Sequence, residues 1–467
     1  MVKPDERDLA DLVAAATAKR LCSAVFLSKR DPEEAFVNSV WIETALERPE
    51  YAIDYRSRTV TVTLGDAIRQ ARFYGDQGCT IIPKGATDVY FDPVPVETRL
   101  PDPMTQGWPM GDAASARPVP SEVNPSKINA ALDTAFSNPD DKTAAFLIVY
   151  KGQIIGERYA HGIDKDTQLE SWSMGKSLTA TLIGILVKDG HFDLHSPAPI
   201  PAWRKADDPR SEITIAHLLR MSSGLQFTRE EAPHLVLSDH GYIYAAAIDV
   251  FDYSINKPLE FKPNTVGRYR NCDPLSLGYI IKQTVESVAL QDTVECRGDR
   301  YFTFPQRALF DRIGIRKMVL EADPYGNFIM TGYDYGTARN WARLGLLYLQ
   351  DGVWEGDRIL PPGWVDFVSR PAPAWDQGQY GGQFWVNTQG EDGLPTDAYS
   401  AQGVDGQRTF IVPSHDLVIV RMGHRMGGTT YHHNLTQANR QIIEAIRQSK
   451  KSSAGIAAKK HPDNNLT

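Results

Sequence analysis

Three features of the sequence predict a mixed α/β (α+β) fold in which one antiparallel sheet is flanked by helices and interrupted by a helical lobe. Two apolar runs, Ala144 to Tyr150 and Ile154 to Tyr159, flank a Lys151-Gly152 turn, and a second pair, Thr409 to Val412 and Leu417 to Val420, lies near the other end. Outside each hairpin stands a helical pattern, Ile128, Leu132 and Phe136 before the first and Leu435 to Ile446 after the second. Between them, residues 226 to 325 are helical and irregular, with little strand signal. Hairpins on both sides of a helical middle imply one sheet assembled from both ends. The cleft between sheet and lobe is then a natural active-site position.

Residues 1–115 read as a separate leading element with a helix from Asp5 to Lys19 and a half-exposed strand over Tyr55 to Leu64. Nothing in it reads as catalytic. Pro93 to Pro125 is a connector that wraps rather than folds. The catalytic body is expected over 116–449, with the helical lobe at about 191–325. Within it, Ile213 to Leu225 reads as a short helix ended by Gly224, and Trp341 to Leu349 as a strongly apolar one. The tail 450–467, rich in Lys, Ser and Asn, is expected to be disordered.

At 467 residues, 42% of them hydrophobic, the chain can bury a large core. A formal net charge of −8 without blocks of like charge argues against nucleic acid or an anionic membrane as partner, leaving a small molecule. The sequence is compatible with a homo-oligomer. Cys22, Cys79, Cys272 and Cys296 lack C-x-x-C spacing, so neither a zinc cage nor a dense disulfide framework is indicated. Pairing of Cys22 with Cys79 is left open, buried free thiols being favoured. Acids at Asp5, Glu6, Asp8 and Asp11 surround a short run unsuited to a signal peptide, and a cytoplasmic location is expected. No cofactor or metal is expected: H-E-x-x-H does not occur, and His424 and His432-His433 lack a helical i,i+4 pair and nearby acids.

The chemistry centres on Ser173-Met174-Gly175-Lys176, which opens the apolar run Leu178, Leu182, Ile185 and Leu186. Helical spacing puts Ser173 and Lys176 on one face. A serine hydroxyl needs a base within hydrogen-bond reach, and a partly desolvated lysine amine can serve. A second match, Ser254 to Lys257, is followed by Pro258, which blocks a continuing helix, and is assigned to chance. Tyr269 and Asn271 fall in a loop before a helix, where a tyrosine can shuttle protons. Gly403 and Gly406 either serve as turn or bulge residues or allow a substrate close to a strand, in which case the Val404 N–H is an oxyanion donor opposite that of Ser173. Tyr242 and Tyr244 are candidate donors to a substrate amide, and Trp385 a wall of the cleft.

Read in order over residues 126 to 446, several stretches resemble the serine β-lactamase-like hydrolases of the class C type. They are Ser173 to Lys176, Ile215 to Leu225, Tyr269-Arg-Asn271 with Leu277-Gly278, Ala338 to Leu349, Tyr380 to Trp385, and Gly403 to Gln407. That family includes D,D-peptidases, esterases and 6-aminohexanoate-oligomer hydrolases. The resemblance implies a β-lactamase/transpeptidase-like fold, with Ser173 acylated, Lys176 as its base and Tyr269 as proton shuttle to the leaving group. It also implies that Asn271 orients Lys176 or a substrate carbonyl.

One departure bears on substrate. Where β-lactamases and D,D-peptidases carry Lys-Thr-Gly, this chain has Ala401-Gln402-Gly403. A charge-assisted hydrogen bond to a β-lactam carboxylate, worth about 1.5 to 3 kcal/mol, is lost, so antibiotic hydrolysis is expected to be poor. The likeness is therefore closest to the 6-aminohexanoate hydrolases and related esterases. The rival readings are a β-lactamase or D,D-peptidase-type enzyme and a non-catalytic ligand-binding scaffold.

Overall fold

The computed structural model describes residues 7–39, 47–113, 118–228, 234–288, 297–424 and 430–446. The leading segment is organised on α1 (Leu9–Cys22), whose N-cap Asp8 accepts from the Asp11 N–H at 3.1 Å. After α2 (Pro32–Ser39) comes an antiparallel meander of β1 (Glu50–Asp54), β2 (Thr59–Leu64), β3 (Ala67–Phe73) and β4 (Cys79–Ile81). Val60, Val62 and Ala71 of the meander cover α1 from one side. Val236, Leu237 and Ala245 of the main body complete the same apolar cluster.

Two expectations change here. Tyr55 to Arg58 form a turn rather than the start of a strand, because the Asp54 carboxylate takes the Arg56 N–H at 2.8 Å and Arg58 adopts a φ of 52°. Cys22 and Cys79 are joined in a disulfide, not held as free thiols. Their separation of 57 residues hid the fact that the end of α1 packs on the edge where β4 begins. The helix expected from Asp5 begins at Leu9, and residues before Arg7 lie outside the described residues, as does the tail 450–467. Residues 93–113 contain neither a named strand nor an α-helix. Arg316 donates to the Met110 carbonyl at 2.6 Å and Arg343 to the Pro109 carbonyl at 2.7 Å, tying the connector to the body.

The body begins with α3 (Pro125–Ala135), β5 (Thr143–Tyr150), β6 (Gln153–Tyr159), β7 (Leu169–Glu170) and α4 (Gly175–Lys188). The helical lobe carries α5 (Ile215–Leu219), α6 (Asp239–Ala245), α7 (Val250–Ile255), α8 (Cys272–Val288) and α9 (Arg297–Ala308). α5 is shorter than the sequence pattern suggests, since Met221 turns to a φ of 51° just beyond it. Then follow β8 (Val319–Leu320), β9 (Asp334–Gly336), α10 (Ala338–Leu349), the ribbon β10 (Val353–Trp354) and β11 (Asp357–Arg358), and α11 (Trp364–Ser369). The chain closes with β12 (Trp385–Val386), β13 (Tyr399–Gly403), β14 (Gln407–Val412), β15 (Leu417–Gly423) and α12 (Thr430–Ala445).

The main sheet runs β12-β13-β14-β15-β5-β6, antiparallel throughout, and the pairing of Ile419 with Ile148 joins its two halves. Alternation along the strands serves both faces. Phe146, Ile148, Phe410 and Ile419 meet Ile128 and Leu132 of α3 and Leu435 and Ile442 of α12. Ala145, Leu147, Val418 and Val420 meet the layer of α4 and α10. The result is one antiparallel sheet between two helical layers, with β7, β9 and β8 forming a separate small sheet beside the start of α4.

The lobe is locked to the leading segment by a buried carboxylate. Asp239 accepts from Arg7 at 2.8 Å, Lys257 Nζ at 2.9 Å and the Thr228 N–H at 2.8 Å. Lys257 is the lysine of the second S-x-x-K match, and Ser254 there donates to the Val250 carbonyl, so that motif is structural. Burial raises the Asp239 pKa, but Lys257, Tyr253 and Arg7 outweigh it and hold the group below its ordinary value. Its stabilisation is therefore complete above the ordinary aspartate pKa of about 4 and lost as pH falls through the lower folded value. Asp239→Ala leaves two cations buried without their carboxylate and is expected to cost about 3 to 5 kcal/mol in denaturant unfolding. A change under about 1 kcal/mol would show that the cluster does not fasten the lobe.

Candidate active site

β7 pairs with β9, and the Ser171 N–H donates to the Asp334 carbonyl at 2.9 Å. The chain then turns sharply through Trp172, whose φ of 49° is left-handed for a residue with a side chain and costs about 1 to 3 kcal/mol. Ser173 follows in a single 3₁₀ turn, and α4 starts at Gly175. A side chain at Gly175 would not fit, because its Cβ would lie 1.6 Å from Asp334 Oδ2.

Lys176 Nζ lies 3.0 Å from Ser173 Oγ and donates to the Thr331 carbonyl at 2.8 Å. The lysine is 1% exposed. Burial pushes its pKa well below the ordinary lysine value, while Asp334 works in the opposite direction. Burial likewise drives the Asp334 carboxyl well above its ordinary value, against the pull of Lys176. Ser171 and Lys176 both pull the other way, and burial outweighs them. Lys176 is thus a desolvated amine beside a hydroxyl, the arrangement that lets it accept a proton.

Tyr269 presents its ring to this pair, with Lys176 Nζ 5.0 Å from the centroid. The ring is stacked with Trp385 at 5.6 Å and with His240 at 5.9 Å, and Tyr380 meets it edge-on at 6.0 Å. Trp385, expected as a wall of the cleft, packs against the Tyr269 ring. Asn271 is 1% exposed and reaches Lys176 indirectly. Its Nδ2 donates to the Tyr244 hydroxyl at 3.3 Å, and that hydroxyl lies 2.8 Å from the Thr331 carbonyl and 2.9 Å from Thr331 Oγ1. The same carbonyl receives Lys176. Burial raises the Tyr244 pKa well above the usual tyrosine value, keeping its proton for Thr331.

The two tyrosines expected to greet a substrate amide are thus placed otherwise. Tyr244 spends its proton on Thr331, and Tyr242 lies under the Arg7 guanidinium, 4.0 Å from its ring centroid, facing the leading segment. They sit on one short helix, two residues apart, which turns them to different neighbours.

Gly403, at the end of β13, touches the Ser173 turn directly: a Cβ there would lie 2.3 Å from the Ser171 carbonyl oxygen and 2.9 Å from Trp172 Cβ. Val404 follows at the surface, 49% exposed. Gln402 is half-buried and donates to Ser400 Oγ at 2.8 Å. Three contributors escaped the sequence reading: Thr331, which acts through a backbone carbonyl; Asp334; and Trp172. Asp334 alone left a signal, a carboxylate between Tyr333 and Tyr335 and so a candidate buried acid.

Over 300 residues the chain is 25% identical to a 6-aminohexanoate-dimer hydrolase of Paenarthrobacter ureafaciens, covering 60% of this chain and 72% of that protein. A Bacillus anthracis structure provisionally named a 6-aminohexanoate-dimer hydrolase superposes with a TM-score of 0.54 at 20% identity, over 66% of this chain and 82% of that one. A family VIII carboxylesterase gives 0.51 at 16% identity, over 70% and 99%. Residues 132–443, which hold the main sheet, the Ser173 turn and the helical lobe, match the Beta-lactamase family model, and the chain belongs to that family.

Proposed function

We propose that this serine hydrolase cleaves amide or ester bonds of a small molecule or short oligomer through an acyl-enzyme on Ser173. The observation that carries this reading is the 3.0 Å contact between Ser173 Oγ and the buried amine of Lys176. Lys176 takes the hydroxyl proton as Oγ attacks the carbonyl carbon, and the oxyanion forms against the N–H groups of Ser173 and Val404. Tyr269 passes the proton to the leaving amine or alcohol. Water then attacks the acyl carbon, the proton returns by the same route, and the acid departs from a free Ser173.

The substrate class follows from charge and from the relatives. Ala401 and Gln402 stand where a cation would hold a β-lactam carboxylate, which favours a linear amide or ester like that named for the 6-aminohexanoate-dimer hydrolase. Residues 116–449 are the catalytic unit in this reading, with 1–115 accessory to it. No helix among the described residues is long and apolar enough to cross a membrane. The Cys22–Cys79 disulfide favours an oxidising compartment over the cytoplasm.

Brief incubation with a p-nitrophenyl ester, a short amide, 6-aminohexanoate dimer and a cephalosporin, followed by acid quench and peptide mass analysis, tests the reading. The expected result is acyl mass on the peptide holding Ser173, with ester or amide turnover well above that of the cephalosporin. Turnover with no adduct at Ser173, or an adduct on another residue, overturns the assignment. Cephalosporin turnover matching the amide overturns the substrate class.

A further inference from the structure

We propose that Arg20, carried by the leading segment, is a positioning residue for hydrolysis: its guanidinium holds the Ser173 turn against the Val404–Asp405 turn. The proposal rests on the reading of Ser173 as nucleophile and Val404 as oxyanion donor, and adds what holds those two groups in register.

Both turns are strained beside the groups they present. Trp172, immediately before Ser173, has a φ of 49°, and Asp405, immediately after Val404, a φ of 62°. Left-handed conformations in residues with side chains persist only where surrounding contacts over-determine them. Arg421 Nη1 donates to the Asp405 carbonyl at 3.1 Å from the body's side, and Arg20 reaches both turns from the leading segment. Arg20 Cζ lies 4.8 Å over the Trp172 ring, and its terminal nitrogen is 3.8 Å from Glu170 Oε2 and 4.0 Å from Asp405 Oδ2. Trp172 Nε1 donates to the same Asp405 oxygen at 3.1 Å, closing the link between the turns.

The main body supplies acids at this place and the leading segment answers with cations. Glu170, Asp405 and Glu321 face α1, where Lys19 and Arg20 are 1% and 6% exposed. Lys19 pairs with Glu321 and lies 4.0 Å over the Tyr333 ring, which in turn packs on Trp172 at 5.8 Å. The Cys79 N–H donates to Glu321 at 2.7 Å, so the disulfide-linked end of α1 anchors the pair of cations. Burial already raises the Glu170 pKa to about 7 against the pull of Arg20; without the guanidinium, Glu170 takes up a proton and the cation that bridges it to Asp405 is gone. A planar guanidinium can meet two carboxylates and stack on an indole together; a lysine ammonium cannot.

The test compares full-length wild type, Arg20→Gln, Arg20→Lys, Trp172→Phe, the double variant Arg20→Gln/Trp172→Phe, and Arg69→Gln. Arg69 is a buried cation of the same segment, paired with Asp11 away from the turns, and controls for general loosening. With an activated ester, Arg20→Gln is expected to lower kcat by about 100-fold while KM changes less than about threefold, the signature of misplaced reacting groups. Arg20→Lys should recover only part of the loss, Arg69→Gln should leave kcat near wild type, and the losses from Arg20→Gln and Trp172→Phe should not add. Wild-type kcat in Arg20→Gln overturns the proposal. So does an equal loss in Arg69→Gln, or fully additive losses in the double variant. If Arg20→Gln does not fold, Arg20→Lys and Trp172→Phe carry the test through the same kcat readout. Labelling of Ser173 in wild type is scored separately: its absence defeats the nucleophile reading, whereas its presence with unaltered Arg20 variants defeats the clamp alone.

Discussion

Ser173→Ala and Lys176→Ala are each expected to lower kcat/KM for an activated ester by about 10⁴-fold or more, and the double variant to be scarcely worse than either. The pair acts as a unit. Without Lys176, Oγ keeps a proton it cannot shed near neutral pH; without Oγ, the amine has no nucleophile to activate. What activity remains comes from oxyanion stabilisation and binding alone. Stopped-flow or steady-state rates with a p-nitrophenyl ester decide this, alongside far-ultraviolet spectra to show that both variants fold. Losses that multiply in the double variant would mean that Lys176 serves a step separate from Ser173 activation.

The same pair predicts a pH effect whose sign follows from its neighbours. Lys176 must be neutral to accept a proton, so kcat/KM falls on the acid side as the amine becomes charged. Burial lowers the Lys176 pKa and Asp334 raises it. Where the Asp334 carboxyl, itself raised by burial, is ionised, Asp334→Asn removes the opposing charge, and the acid limb should move to lower pH. Asp334 is also coupled to Lys19 and Glu321, so the variant is compared with wild type at constant ionic strength. A limb that stays in place or moves up would show that Asp334 does not act on this lysine.

How much of this was legible in the sequence depends on whether the physics was local. The hairpins, the flanking helices and the Ser173–Lys176 spacing are period-two and helical patterns within short windows, and they sit where the pattern puts them. The Cys22–Cys79 pairing, the Asp239 cluster and the contact of α1 with the catalytic turn join residues far apart in the chain, and no local pattern encodes them. Tyr242 and Tyr244 illustrate the limit within a single turn of helix. Spacing showed that both lie in the lobe, yet only packing decides that one faces Arg7 and the other Thr331. Thr331 works through its main-chain carbonyl, which every residue possesses, so its identity carried no signal.

Gly403→Ala is the second large effect expected, a loss of about 100-fold or more in kcat from a single methyl group. The new Cβ would stand 2.3 Å from the Ser171 carbonyl oxygen, 2.9 Å from Trp172 Cβ and 3.1 Å from Gln407 Cβ. The nearest of these is backbone, and it is pinned because the Ser171 N–H is bonded to the Asp334 carbonyl. Relief must therefore come from moving β13 away from the Ser173 turn. That displacement carries Val404 with it and widens the gap between the two proposed oxyanion donors, which need their N–H groups about 3 Å from the same oxygen. Gly107→Ala is the matched control, since a Cβ there meets nothing within 4 Å and the backbone is not left-handed. Measured together, Gly403→Ala should lose kcat with a modest change in KM, and Gly107→Ala should lose neither. Wild-type kcat in Gly403→Ala would mean that the close approach of β13 to Ser171 has no part in catalysis, and the Val404 N–H would have to be abandoned as an oxyanion donor.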